Sequence, residues 1–323
     1  MILITGSNTP HGAELVKKLV KNGNKVKCYD YYKPVELPEG VEFIQGDLFN
    51  LKQLNKACKG TDTVIHLLDK HTYKKTGRRQ MKKINIRGTL NLLMSARKAK
   101  VKRFIFQSTY AVYGKRQSFP IKETDTKKPC IPYGKDKLKA ETLCETFCKK
   151  NEIDYSILRP ALIAGPNTIN RSMLITFYMA MAMGSDNIMY LSNDGNTHFQ
   201  LISQEDTAEA LLSIYKNEDK TNEQVYNAGS DNVPTQMDQT LKLKEKEKLD
   251  FTIRHITPLK ARLYSILFKP SKVNFFTKEH NYYLFNNMYM DCQKLKEDTG
   301  WAPTKDNIEI LSETVNWYKN KIS

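Results

Sequence analysis

The strongest constraint lies at the start of the chain, where Ile2-Leu3-Ile4-Thr5 runs directly into Gly6-Ser7-Asn8-Thr9-Pro10-His11-Gly12 and then into a helical pattern. An apolar strand, a glycine-bearing turn and an amphipathic helix in immediate succession predict the opening of a βαβ unit. The helix carries Leu15, Val16, Leu19 and Val20 on one stripe and stops at Gly23. Short apolar runs then alternate with helical stretches: KVKCYD, VEFIQ, TVIHLL, a long helix, RFIFQS, and DYSILRP after a helix that begins near Tyr133. Such alternation predicts an α/β protein with a parallel sheet flanked by helices.

With 323 residues, the chain is long enough for a cofactor domain and a smaller lobe. The alternation loosens after about Pro160. We read residues 1–160, with 200–228 returning, as a Rossmann-type, doubly wound domain. Residues 161–199 and 229–323 form a discontinuous C-terminal substrate lobe.

Hydrophobic residues make up 40% and charged residues 27%, ordinary globular usage. The N-terminus has no basic targeting region, and the apolar stretch Met173 to Met183 is too short to span a bilayer. A cytoplasmic location with no membrane partner is expected. Six cysteines are present, with none at zinc-site spacing, so no metal is expected. The charge of +16 is densest in Lys70 to Lys83. It reads either as a solvated surface or as a field that attracts anions to the site. No motif of a nucleic-acid-binding fold is present, and no nucleic-acid partner is expected.

The Gly6 turn is where a dinucleotide fold places its pyrophosphate. Glycine permits a tight turn and close approach of phosphate, while the helix N-terminus favours negative charge. Thr9 stands where such a motif usually has its middle glycine, and its β-carbon either crowds the ligand or shifts the loop. Asp30, at the end of the second strand and 18 residues after Gly12, is suited to a ribose and would repel a 2′-phosphate, which favours NAD. The alternative is a solvated strand-end aspartate, and Lys33 lies near.

RFIFQ leads into Ser108-Thr109-Tyr110-Ala111-Val112-Tyr113-Gly114, followed by Pro132-Tyr133-Gly134-Lys135-Asp136-Lys137. The Y-x-x-x-K spacing sets Tyr133 and Lys137 on one helix face. A cation there stabilises phenolate and draws the phenol toward ionisation at working pH. Together with Leu158-Arg159-Pro160, Gly165-Pro166, Asp206-Thr207-Ala208, Val225-Tyr226-Asn227 and Gly300-Trp301-Ala302-Pro303, these motifs resemble the extended short-chain dehydrogenase/reductase family, the NAD-dependent epimerase/dehydratase group. The resemblance spans nearly the whole chain, with few landmarks in 230–290.

The resemblance implies an NAD-dependent enzyme with Tyr133 as acid/base, Lys137 as its partner, Thr109 in the place of the family's serine, and Asn85 supporting the network. It also implies cofactor contacts at Gly6, Thr9, Gly12, Asp30, Asp47, Leu48, Leu67, Leu68, Tyr133, Lys137 and Pro160. Leu68-Asp69 departs from the family's two alanines. Tyr110 and Ala111 replace the Asp-Glu pair of the family's 4,6-dehydratases, so that reaction is not expected. The remaining chemistry is 4-epimerisation or simple alcohol/ketone oxidoreduction.

Leu162 and Phe199 stand where UDP-sugar epimerases carry Asn and Arg anchors. With Tyr110 and Arg171 they are the expected substrate-side residues, and Lys260 and Arg262 are further candidate anion contacts. Val273 to Tyr283 resembles the hydroxysteroid-dehydrogenase-like branch. The substrate is therefore either a sugar nucleotide or a less charged alcohol. A catalytically silent cofactor sensor or scaffold is the alternative of another class. The family's habit of pairing through the Tyr133 helix implies a homodimer, and Leu138, Leu143 and Phe147 suit either that interface or the core.

Overall fold

Strands that are apolar on both sides need cover on both faces, and the fold supplies it with helical layers above and below one sheet. The computed structural model describes residues 1–323 except 35, 72–76, 115–117, 168–187, 193, 268–277 and 323. Seven parallel strands form the sheet: β1 (Ile2–Thr5), β2 (Val26–Asp30), β3 (Glu42–Gln45), β4 (Thr63–His66), β5 (Arg103–Gln107), β6 (Asp154–Pro160) and β10 (Gln224–Ala228). Their order is β10-β6-β5-β4-β1-β2-β3. Chain direction across the sheet reverses between β1 and β4, which opens a crevice at their carboxyl ends where ligands of such sheets bind.

Alternation within a strand divides the core. Ile2 and Ile4 of β1 face a cluster with Leu15, Val16 and Leu19 of α1 (Pro10–Lys21). Leu3 faces the other side, with Leu54, Leu92, Phe104 and Cys144. On that second face lie α2 (Leu51–Cys58), α3 (Arg78–Lys82), α4 (Thr89–Lys98) and α5 (Pro132–Lys150). The turn Lys83–Gly88 joining α3 to α4 is π-helical. On the first face, α6 (Gln204–Lys216) packs against α1.

A third cluster gathers Ala164, Leu191, Phe199, Leu201, Leu243 and Ile310 from segments far apart in sequence. Within it β7 (Leu162–Ala164) pairs with β9 (Leu201–Ser203), and β8 (Ile188–Ser192) pairs with β11 (Thr252–Ile256). All six cysteines are free thiols, and five are buried. Among the described residues no helix is long and apolar enough to cross a membrane, and no group of three or more His, Cys, Asp or Glu is placed to hold a metal ion.

Candidate active site

The first turn after β1 shows why glycine is needed there. Gly6 has φ +85°, and a β-carbon on it would stand 2.6 Å from Leu68 N and 2.8 Å from the Leu67 carbonyl carbon. The loop therefore presses backbone to backbone on the exit of β4. A β-carbon at Gly12 would lie 2.4 Å from Gly6 O, so this glycine lets the helix start close under the turn. The cradle fits a dinucleotide's phosphates: two glycines, close backbone, and the N-terminus of a 12-residue helix.

Thr9 settles into this loop without strain. Its φ is −76°, it is the N-cap of α1, and Pro10 follows in the first helical turn. Its Oγ1 accepts from Gly12 N at 3.1 Å and donates to Gly6 O at 2.9 Å. The loop has thus adapted to threonine: the hydroxyl holds the turn shut and satisfies an end-of-helix donor.

Asp30 is buried. Its Oδ2 accepts from Asn8 N at 3.0 Å and its Oδ1 from Tyr31 N at 2.8 Å. It is therefore an anchor of the cofactor loop as well as a strand-end carboxylate. At the next strand end, Asp47 Oδ1 accepts from Phe49 N at 2.8 Å, and its carbonyl takes the Tyr29 hydroxyl at 2.8 Å. The Leu48 side chain is fully buried beside Gly88, so a ligand there would meet backbone. Leu67 and Leu68 belong to the two core clusters on opposite faces of the sheet. The side chain that enters the site from this segment is Asp69.

Tyr133 lies in the first turn of α5, and its hydroxyl donates to Asp69 Oδ2 at 2.5 Å. Lys137 Nζ stands 3.5 Å from the same oxygen and donates to Gln107 O at 2.5 Å, above the Phe106 ring. Burial pushes the Lys137 ammonium below its usual range, and Asp69 acts against that. Asn85, buried in the π-turn, accepts from Lys70 N at 2.8 Å and donates to Lys70 O at 2.9 Å, which fixes the Asp69 loop. His66 bridges Thr5 and Thr89 at 2.6 and 3.1 Å. Burial first, then nearby Lys137, pushes its pKa down to about 3, so it is a neutral strut between β4, β1 and α4.

Thr109 caps a short 3-10 turn, Tyr110–Val112, by accepting from Ala111 N at 3.3 Å. A β-carbon at Gly134 would stand 2.3 Å from Ala111 O. That glycine, next to Tyr133, is what lets the Thr109 turn wedge against the start of α5. On the substrate side Tyr110 is buried with its ring 5.7 Å from that of Tyr283, and Leu162 is half-buried. Phe199 is only 5% exposed and belongs to the third cluster, so it is a core residue with almost no surface to offer a substrate. Lys260 and Arg262 are exposed on the helix Pro258–Leu267. Arg171 and residues 273–277 lie outside the described residues.

Several sequence landmarks prove to be struts. Pro160 ends β6 and pairs with Ala228 of β10. Arg159 and Glu141 are both buried and joined by two hydrogen bonds, Nε to Oε1 at 3.0 Å and Nη2 to Oε2 at 2.8 Å. Arg159 Nη1 also donates to the Tyr113 hydroxyl at 2.8 Å, which donates to Asn227 Oδ1 at 2.6 Å. Asp206 accepts from Thr304 N at 2.9 Å and Thr304 Oγ1 at 2.7 Å, while its carbonyl takes Trp301 Nε1 at 3.1 Å. Three of the short motifs therefore form one buried network, and two others tie the C-terminal segment to α6.

Comparison with known proteins agrees with this architecture. The family model described as NAD dependent epimerase/dehydratase family matches residues 2–229. The chain belongs to that family, and its cofactor is NAD. A putative UDP-glucose 4-epimerase of Methanocaldococcus jannaschii is 26% identical over 99% of this chain and 99% of its own length. A short-chain dehydrogenase/reductase family 42E member 1 of Danio rerio is 32% identical over 51% of this chain and 46% of its own. The fold matches the crystal structure of a Thermotoga maritima UDP-glucose 4-epimerase with UDP-glucose, with a TM-score of 0.80 and 24% identity, covering 100% of this chain and 99% of that one.

Proposed function

We propose that this chain catalyses oxidoreduction at a secondary alcohol or ketone carbon, as the hydride step of a 4-epimerase or of a dehydrogenase. NAD, when bound, supplies the acceptor or donor of hydride. Tyr133 moves the proton at the substrate oxygen, Lys137 is the cation beside it, and the Thr109 hydroxyl orients that oxygen. One observation carries this reading: the Gly6 turn touches Leu68, and the next residue meets Tyr133 and Lys137, so cofactor cradle and acid/base pair share one crevice. Dehydration across a hexose is not proposed, because the turn after Thr109 offers Tyr110 and Ala111, neither of which is a carboxylic acid. A screen of secondary alcohols and sugar nucleotides for nicotinamide reduction tests the proposal. Turnover of none would favour a silent sensor.

Asp30 is expected to enforce NAD over NADP, because a 2′-phosphate would meet a buried carboxylate already engaged by the loop. Calorimetric titration should show tighter NAD binding by wild type and a narrower gap in Asp30→Ala. Equal affinity in wild type would refute this role.

UDP-hexoses are expected to bind weakly. Leu162 brings no charge, and Phe199 is locked in the core. Each charge-assisted contact contributes about 1.5–3 kcal/mol, so two missing ones lower affinity by about two orders of magnitude or more. Titration of the NAD-loaded protein with UDP-glucose and with UDP checks this, and micromolar binding of both would restore an ordinary sugar-nucleotide site.

A homodimer through α4 and α5 belongs to the same proposal. Leu143 and Phe147 pack on the core, and Leu138 on the opposite cluster. The exposed residues on these helices include Met94, Arg97, Lys98, Lys135 and Lys139. Two-fold pairing would set such cations against their own copies. Dimerisation should therefore strengthen as salt screens the repulsion, which sedimentation at low and high ionic strength measures. A dimer that weakens with salt would exclude this interface.

A further inference from the structure

We propose that Asp69 is a positioning residue that keeps Tyr133 in its protonated form, so that the site works as a proton donor to a carbonyl at neutral pH and as a base only at alkaline pH. The proposal rests on the hydride-transfer reading above. It goes beyond it by giving an acid/base role to a residue at which the chain departs from its family's pattern.

One oxygen, Asp69 Oδ2, stands between the two members of the pair, 2.5 Å from the Tyr133 hydroxyl and 3.5 Å from Lys137 Nζ. The lysine cation that would stabilise a phenolate is thus already shared with a carboxylate lying closer to the phenol. Losing the phenol proton would place two negative charges at hydrogen-bond distance, in a site where Asp69 and Lys137 are shielded from water. Like charges so close disfavour ionisation strongly.

The carboxylate is held there from both sides. Leu68, immediately before it, is buried in the core, and Lys70, immediately after it, is gripped at both N–H and C=O by Asn85. Asn85 reaches that backbone from a π-helical turn, a local irregularity common at functional sites. Other charged or titratable groups surround the pair. His66 is held neutral by burial, the His71 ring stands edge-on to Tyr133 at 4.6 Å between centroids, and Lys70 Nζ donates to Gln80 at 2.6 Å. On α5 itself, Glu141 and Cys144 face Lys137.

In the reducing direction, the Tyr133 O–H bond breaks as the new O–H bond forms on the substrate oxygen, and the carbonyl carbon takes hydride from a reduced nicotinamide. The phenolate left behind faces Asp69, so it regains a proton from solvent readily. In the oxidising direction Tyr133 must first lose its proton against Asp69. The pH optima of the two directions are therefore driven apart.

The test is a pH titration of cofactor-free protein labelled with ring-carbon-13 tyrosine, with the Tyr133 signal identified by its loss in Tyr133→Phe. In Asp69→Asn the Tyr133 midpoint should fall by about one to three pH units, and Asp69→Glu, which retains the charge, should hold it near wild type. Asp69→Ser gives a second neutral variant should the amide disturb folding. The rising limb of alcohol oxidation should move to lower pH by the same amount in the neutral variants. An unmoved midpoint in both neutral variants overturns the role of Asp69. Undiminished turnover by Tyr133→Phe would instead overturn the hydride-transfer reading, whatever the titration shows.

Discussion

Replacing Tyr133 with phenylalanine should reduce kcat by about 10²- to 10⁴-fold while leaving NAD affinity within a few-fold of wild type. Only the hydroxyl is removed, and the ring can keep its edge contact with His71. Loss of the donor to Asp69 leaves the Lys137–Asp69 ion pair in place, which should hold the pocket together. Lys137→Met should be comparably severe for turnover but worse for folding. It removes the cation from beside half-buried Asp69 and the donor from Gln107 O. Steady-state rates and cofactor titration of the two variants separate these effects.

The largest expected effect on stability lies away from the chemistry. Arg159→Met should lower the free energy of unfolding by about 3–5 kcal/mol, because it strands the Glu141 carboxylate in the interior without its partner. The lost bond to Tyr113 loosens the link from β6 to Asn227 of β10. The double variant Arg159→Met/Glu141→Leu should recover much of the loss, since it removes both charges together. Urea denaturation followed by circular dichroism measures both. A single variant within about 1 kcal/mol of wild type would show that the pair carries no such weight.

Much of this architecture was legible in the sequence. The alternation of apolar runs and helical stretches predicts the parallel sheet, because strands buried on both faces need unbroken apolar character and helices between them. The stripe on α1 marks its buried face correctly, and Gly23, with φ +78°, sits just beyond its end. Tyr133 and Lys137 are one turn apart on a helix, and both meet Asp69, as only a three-dimensional view can show.

Four features needed that view. Thr9 reads as a departure from a glycine motif when the pattern is compared by position, yet Thr-Pro is also a signature of an N-cap followed by the first helical residue. That second reading is the one the loop obeys. Leu68 and Asp69 both replace small residues, and sequence alone cannot say which one turns inward. Just beyond the end of β4, Leu68 is packed into the core and Asp69 meets the tyrosine. Phe199 reads as a substrate residue by its spacing from Asp206, but its side chain is drawn into the third cluster, whose members come from segments far apart in sequence. No local periodicity marks such a contact. The π-turn at Lys83–Gly88 is equally invisible, since no residue type in it marks a π-helix.

The most direct test of the central claim is a single-turnover mixing experiment. NAD-loaded protein is mixed with an alcohol found in the substrate screen, and the reduced-nicotinamide absorbance is followed in wild type and in Tyr133→Phe. The band should grow in wild type, faster as pH rises, and should be absent or slowed by at least about 10²-fold in the variant. Equal growth of the band in both proteins would contradict Tyr133 as the acid/base of this site.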